Sequence, residues 1–213
     1  MGVTTDIGER IELVSLDRHF HGISIGLYRQ QRAGGAELLV HTYSGIKGAA
    51  ERIDFLARTM AVYSGMTIVE GTEARLRFPC GARHHLASKR VFIEASKLSP
   101  AERAERRQMN IWDKRSKATV EACGIRQGVY ELRSDSEDEK AARRCLAIAA
   151  GLVKLGEMNW AGGEAGRIAF GCGESHDELV GLLLGRAVNV RAVEREQEMA
   201  ESRGRLAAPS AQK

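Results

Sequence analysis

One segment of the chain recurs 92 residues later. Residues 75–85 read RLRFPCGARHH and residues 167–177 read RIAFGCGESHD, with Arg, Phe, Cys, Gly and His at matching positions. Around them, residues 49–84 align without a gap to residues 141–176 and share 11 identities in 36 positions. Unrelated sequences of average composition would share about two or three. We therefore predict an internal duplication, in which both copies adopt the same local structure.

Each copy can be used to check the secondary structure of the other. Alternating apolar and polar residues predict a β-hairpin in the first copy, ISIGLYRQQ followed by AELLVHTY, and another in the second, ATVEAC followed by GVYELRS. A helix follows in both, with its apolar residues on one face. Ile53, Leu56, Met60 and Tyr63 form that face in the first copy, and Cys145, Ile148, Leu152 and Leu155 form it in the second. A strand with the shared Arg and Phe, the Cys-Gly turn and a second helix complete each copy.

The predicted fold class is therefore α+β, with two hairpin-helix-strand-helix units related by a pseudo-twofold axis. We predict a first unit over residues 1–98, a connecting helix over 99–117, a second unit over 118–204 and a disordered tail over 205–213. The connecting helix is indicated by Ser99 as N-cap, Pro100 at the first helical position and Glu102 three residues after the cap. Each unit alone would leave an apolar face uncovered, so we expect neither to be stable by itself.

Composition restricts the class of protein. The sequence is 43% hydrophobic, which is enough for a core, but no apolar run is long enough for a membrane helix. The N-terminal residues also lack the pattern of a secretory signal peptide. We therefore predict a cytoplasmic protein, whose four cysteines are thiols or metal ligands rather than disulfides.

The repeated Cys-Gly-x-x-His motif is the strongest candidate for a functional site. In each copy it joins the end of a strand to the start of a helix, and Ser175 with Glu178 predicts a capping box near His176. Steps of four and three residues from each cysteine follow one apolar helical stripe, so both motifs should face the interior.

Three interpretations of the motif remain open. In the structural one, cysteine and histidine are packed in the core and glycine supplies a positive φ. In the second, the two motifs form a Cys₂His₂ metal site, with Cys80, His84, Cys172 and His176 as zinc ligands shared across the pseudo-twofold axis. In the third, a cysteine before a helix N-terminus is a nucleophile and the histidine accepts its proton. No complete catalytic set is present, so the sequence does not decide whether the protein is an enzyme.

Two arginines are candidates for binding a ligand. Arg75 and Arg167 stand at equivalent positions where the shared strand begins. We predict either salt bridges to nearby acidic residues such as Glu73 and Glu164, or a pair that binds an anion.

The segment 99–117 suggests a nucleic acid as a partner. It has six basic residues against three acidic ones, a net charge of +3, and includes Trp112. Basic residues with an aromatic ring can contact phosphates and stack on bases. Trp112 also aligns with Phe20, which instead indicates that the ring packs. The basic residues predicted to bind are Arg103, Arg106, Arg107, Lys114 and Arg115.

The sequence thus predicts an α+β protein that binds a ligand or a metal ion between its two repeats, with zinc favoured, through the Cys-Gly-x-x-His turns. The alternatives are a cysteine-dependent enzyme and a nucleic-acid-binding protein.

Overall fold

In the computed structural model, the described part of the chain comprises residues 3–4, 10–20, 23–32, 35–42, 47–69, 74–162 and 166–189. It forms two antiparallel β-sheets and four α-helices, so the α+β class is confirmed. No helix in these ranges has the length and the apolar character needed to cross a membrane.

The first sheet lies in the N-terminal half of the chain. Its six strands are β1 (Val3–Thr4), β2 (Arg10–Phe20), β3 (Ile23–Arg32), β4 (Gly35–His41), β5 (Thr67–Ile68) and β6 (Arg75–Arg77). They are arranged in the order β1-β2-β3-β4-β6-β5. The β3–β4 pair is the predicted hairpin, and buried residues alternate with partly exposed ones along β4, as expected for a strand with one face in the core.

Two helices pack on this sheet. The first, α1 (Ala49–Ser64), contacts β4, β5 and β6, and the second, α2 (His85–Ser96), contacts β2. The predicted apolar face of α1 is turned to the core: Leu56, Met60 and Tyr63 are buried and Ile53 is partly buried.

The second sheet has five strands. They are β7 (Asn110–Asp113), β8 (Ala118–Arg126), β9 (Val129–Ser134), β10 (Met158–Trp160) and β11 (Arg167–Phe170). The order is β7-β8-β9-β11-β10, which has the same form as β2-β3-β4-β6-β5 in the first sheet. The predicted hairpin is β8–β9, with its turn at Gln127 and Gly128.

Two further helices complete this half, α3 (Glu139–Gly156) and α4 (Asp177–Ala187). The helix α3 contacts β9, β10 and β11, while α4 contacts β7 and β8. All four residues of the predicted α3 face, Cys145, Ile148, Leu152 and Leu155, are buried.

The helices of the two halves pack on each other and bring the halves into one core. Contacts join α1 to α4, α2 to α3 and α2 to α4, and the buried apolar residues of both halves form a single cluster. An ion pair between Arg186 on α4 and Glu94 on α2 crosses the same interface, with Arg186 Nε 2.6 Å from Glu94 Oε1.

The predicted connecting helix over 99–117 is wrong. The Glu102 carboxylate does accept hydrogen bonds from the Ser99 amide and hydroxyl, but the chain makes only a turn there and residues 103–108 are irregular. The segment then forms β7, because its backbone pairs with β8 and the buried Asp113 carboxylate binds Arg144 of α3. These hydrogen bonds, from the following strand β8 and from Arg144, override the local helix signals, which are worth only about 1 kcal/mol.

The capping box predicted for α4 is also wrong. His176, not Ser175, is the N-cap of α4, and the Ser175 hydroxyl instead accepts a hydrogen bond from the Gly128 amide at 2.9 Å. The predicted tail over 205–213 lies outside the described residues.

Candidate metal centre

Both Cys-Gly-x-x-His turns, residues 80–84 and 172–176, begin with the same hydrogen bond. The amide of Gly81 donates to the carbonyl of Phe78 at 2.9 Å, and the amide of Gly173 donates to that of Phe170 at 3.1 Å. Gly81 and Gly173 have φ of 69° and 76°, a conformation that favours glycine. The glycine of the motif is therefore explained by backbone geometry in both turns.

The turns bring the four predicted metal ligands together. The sulfur atoms of Cys80 and Cys172 and the ring nitrogens of His84 and His176 all lie within 4.8 Å of one another. Within each turn, the cysteine Sγ and the histidine Nε2 are 3.2 Å apart in the first and 3.3 Å apart in the second. A cluster of two cysteines and two histidines at these separations could hold a metal ion.

Two phenylalanine rings enclose the histidines. Phe78 and Phe170 contact both imidazoles edge to face, at centroid distances between 4.7 and 5.5 Å. Both rings are almost fully buried, and the imidazoles are only 8% and 5% exposed. The Phe of the repeated motif thus forms the apolar wall of the cluster.

This apolar wall keeps the imidazoles uncharged. Burial, with a contribution from the neighbouring His176, lowers the pKa of His84 to about 4. Burial likewise lowers the pKa of His176, against opposing contributions from Glu174 and Asp177. Both rings are neutral at pH 7, and neutral imidazole is the form that binds a metal ion.

The two sulfurs are placed differently from the imidazoles. Cys80 and Cys172 are partly exposed and line a cleft of about 760 Å³, whose rim includes the Arg106–Glu178 salt bridge. Each sulfur accepts a backbone hydrogen bond, from the Ala82 amide at 3.4 Å and from the Glu174 amide at 3.5 Å.

The Cys80 thiol is not activated in the absence of a metal. Burial raises its pKa and the Cys172 sulfur raises it further, while the Ala82 amide opposes them. A cysteine nucleophile requires the opposite change, a pKa below its ordinary value.

Residues outside the motif hold the second turn in place. The Tyr130 hydroxyl accepts a hydrogen bond from the His176 amide at 2.6 Å and donates one to the Asp177 carboxylate at 2.8 Å. Gly128 approaches the turn so closely that a Cβ there would lie 2.4 Å from the Gly173 carbonyl oxygen. Sequence reasoning missed both residues. Gly128 could have been identified from the sequence as the glycine of the predicted β8–β9 turn. No nearby residue indicates Tyr130, which is 46 residues from His176.

The predicted ligand-binding arginines have carboxylate partners. Arg75 is 3.5 Å from Glu37, and Arg167 is 3.2 Å from Glu131, which also binds Arg133. The acidic residues named from the sequence, Glu73 and Glu164, lie outside the described residues. Binding of an anion by the two arginines stays a prediction.

The basic residues predicted to contact nucleic acid do not share a helix. Arg106 pairs with Glu178, and the Arg107 guanidinium lies 5.7 Å from the centroid of the Tyr63 ring. Lys114 and Arg115 are exposed in the turn after β7, and Arg103 is exposed in the irregular segment. Trp112 is 56% exposed, so the packing role inferred from its alignment with Phe20 is wrong. Nucleic-acid binding stays a prediction.

No family model, curated protein or solved structure matches this chain. The functional conclusion therefore depends on the geometry and chemistry of the cluster.

Proposed function

We propose that the protein binds one zinc ion through Cys80, His84, Cys172 and His176, and that this ion joins the two halves of the chain. The observation that carries the proposal is the convergence of four ligand atoms within 4.8 Å, two from each half. In a tetrahedral Cys₂His₂ zinc site, bond lengths of about 2.0–2.3 Å place ligand atoms about 3.3–3.8 Å apart. The cluster therefore needs only small adjustments to close around the ion.

The chemistry of the four ligands favours zinc over magnesium or calcium. Thiolate and imidazole are softer ligands than the oxygens that Mg²⁺ and Ca²⁺ prefer. Two cysteine thiolates would also neutralise the charge of Zn²⁺, and the imidazoles contribute no charge. An electrically neutral site can be enclosed by Phe78 and Phe170 without an uncompensated charge in the core.

We infer that the two pairs of ligands descend from one duplicated unit. Two observations support this inference. The strands β2-β3-β4-β6-β5 and β7-β8-β9-β11-β10 are arranged in the same order, and two side-chain contacts match between the halves. Arg52 on α1 donates to the Ser96 carbonyl at 2.8 Å, and Arg144 on α3 donates to the Val188 carbonyl at 3.1 Å. Donor and acceptor are each displaced by 92 positions between the halves, as the alignment requires.

In this proposal the predicted units 1–98 and 118–204 are related by a pseudo-twofold axis through the metal site, and β7 joins the second unit as the counterpart of β2. One motif supplies one cysteine and one histidine, which is two ligands of the four that a tetrahedral site needs. Two motifs that face each other supply all four. Retention of both residues in both copies then has a chemical reason, because each copy supplies half of the ligands.

A zinc site with four protein ligands is structural rather than catalytic. It leaves no open position for water or substrate, which is the usual difference between a structural and a catalytic zinc site. Zinc bound only by the folded chain would stabilise it, and removal of zinc should lower its melting temperature.

The test is metal analysis of the full chain purified without chelators or a metal-affinity step. We expect zinc in equal amount to protein, and exchange into Co²⁺ should give the visible absorption of tetrahedral cobalt bound to thiolate. Cys123→Ser is the matched control, since Cys123 lies on β8 outside the cluster and its loss should leave both signals unchanged. A protein that takes up neither ion, although folded, would overturn the proposal in favour of simple packing.

A further inference from the structure

We propose that Cys80 and Cys172 also form a redox-controlled pair, in which a peroxide oxidises the two thiolates to a disulfide and the metal ion is released. This inference rests on the proposed zinc site and assigns it a second property. The disulfide would link the two halves covalently at the point where the ion had linked them by coordination.

The first supporting observation is distance. The Cys80 and Cys172 sulfurs lie within 4.8 Å of each other, and a disulfide bond is about 2 Å long. The sulfurs must therefore approach by less than about 3 Å. A Cβ built on Gly81 or Gly173 would meet no atom within 4 Å, so there is free space beside both turns.

The second observation is access. Cys80 and Cys172 line the open cleft of about 760 Å³, whereas the imidazoles of His84 and His176 are 8% and 5% exposed. His176 also lines this cleft, but it is almost fully buried, so a small polar oxidant entering the cleft meets the partly exposed sulfurs of Cys80 and Cys172 first. Of the two cysteines outside the cluster, Cys145 is buried among apolar residues of α3.

The chemistry balances without any other reactant. One thiolate attacks hydrogen peroxide, which breaks the O–O bond and gives a sulfenic acid and hydroxide. The second thiolate attacks the sulfenic sulfur, forms the S–S bond and expels a second hydroxide. Two protons taken from the neutral buffer convert both hydroxides to water, so two thiolates are oxidised by two electrons and one peroxide is reduced to two waters. Only two imidazoles then remain as ligands, and the metal ion dissociates.

The experiment treats the zinc-loaded full chain with hydrogen peroxide at neutral pH. Released zinc is followed with a coloured chelator, and disulfides are located by peptide mass spectrometry without reduction. We expect zinc release to match the formation of a peptide linked through Cys80 and Cys172. A dithiol reductant followed by zinc should restore the loaded protein. Cys123→Ser should respond like the wild type.

The outcomes separate this inference from the proposed function. A protein that binds zinc and keeps it under peroxide, or releases it with cysteine oxidised only to sulfinic acid, overturns the redox pair and leaves the zinc site standing. A protein that binds no zinc overturns the proposed function. It also overturns this inference, because the thiolates that attack peroxide are those bound to the metal ion.

Discussion

The imidazole rings of His84 and His176 lie edge to face, with centroids 4.6 Å apart and planes inclined at 75°. These residues occupy equivalent positions in the two halves, 92 apart in the chain. At this distance a proton on one ring strongly disfavours a proton on the other, since like charges in a buried site repel. The contact therefore makes the site unfavourable for protonated imidazole and suited to a metal ion held by neutral rings.

Loss of one cysteine should have nearly the effect of losing both. We expect Cys80→Ser to weaken zinc binding on the order of 100-fold or more, since even residues that only support metal ligands are worth 10–100-fold. The double variant Cys80→Ser with Cys172→Ser should lose little further affinity, because the tetrahedral site is already broken. Zinc titration in competition with a chelator of known affinity measures both.

The packing interpretation makes the opposite prediction for these variants. If the cysteines only fill space, the two thermal destabilisations should add, as they do for independent sites, and zinc should have no effect on either. Melting curves of the single and double variants, with and without zinc, therefore distinguish the two interpretations.

The metal-free protein should lose stability as the pH falls from 6.5 towards 4. The pKa of His84 is lowered to about 4 in the folded chain, from 6.5, so the unfolded chain takes up the proton first. The contribution of the neutral ring is fully present above pH 6.5 and is lost as pH falls through about 4. The gap between these values corresponds to about 3 kcal/mol.

Two measurements check this dependence. Urea unfolding in the presence of a chelator should give a free energy that declines over this range, and the decline should be smaller in His84→Asn. The His84 imidazole resonance should titrate near pH 4 in NMR spectra. A midpoint near 6.5 for this resonance contradicts the prediction.

The repeat alone was enough to predict the main elements of the fold. The two aligned segments gave matching evidence for the hairpins β3–β4 and β8–β9, for the helices and for the strands β6 and β11, and the residues that form the α1 and α3 faces follow from the period of 3.6. The equivalence of Cys80 with Cys172 also suggested a shared site. Their separation could be known only from the packing of α1 on α4 and α2 on α3.

Local signals failed where distant residues decide the structure. Ser99 and Glu102 predict a helix start, but β8 offers hydrogen bonds to Asn110–Asp113 and Arg144 offers a charge to Asp113. The strand β8 follows directly in the chain and forms a hairpin with β7, but Arg144 lies 31 residues from Asp113, beyond a helix-length window of sequence. The same holds for Tyr130, whose contact with His176 depends on how β9 meets the start of α4.

The buried ion pair of Asp113 and Arg144 should be important for stability. Asp113 is 1% exposed, its two oxygens are 2.8 and 3.0 Å from the Arg144 guanidinium, and this pairing lowers the pKa of the carboxyl. Asp113→Ala leaves the cation with no carboxylate partner there and should cost about 3–5 kcal/mol in the free energy of unfolding.

The control for this variant is an exposed pair on the same helix. Arg143 and Glu139 are 73% and 77% exposed, so Arg143→Ala should cost no more than about 0.5 kcal/mol. Urea unfolding of both variants gives the comparison. Equal small losses would show that the buried pair does not fix β7 to α3.

The close approach of Gly128 to the second Cys-Gly turn should matter for both stability and zinc. In Gly128→Ala the new Cβ would lie 2.4 Å from the Gly173 carbonyl oxygen and would have to displace the turn that carries Cys172. Gly162→Ala is the matched control, because Gly162 also has a positive φ, 82°, but has no atom within 4 Å of the added Cβ. The control should cost about 1–2 kcal/mol from backbone strain alone, and Gly128→Ala should cost about 1–3 kcal/mol more. Zinc affinity should fall only in Gly128→Ala. Equal losses of stability with unchanged zinc binding in both variants would show that the hairpin does not position the turn.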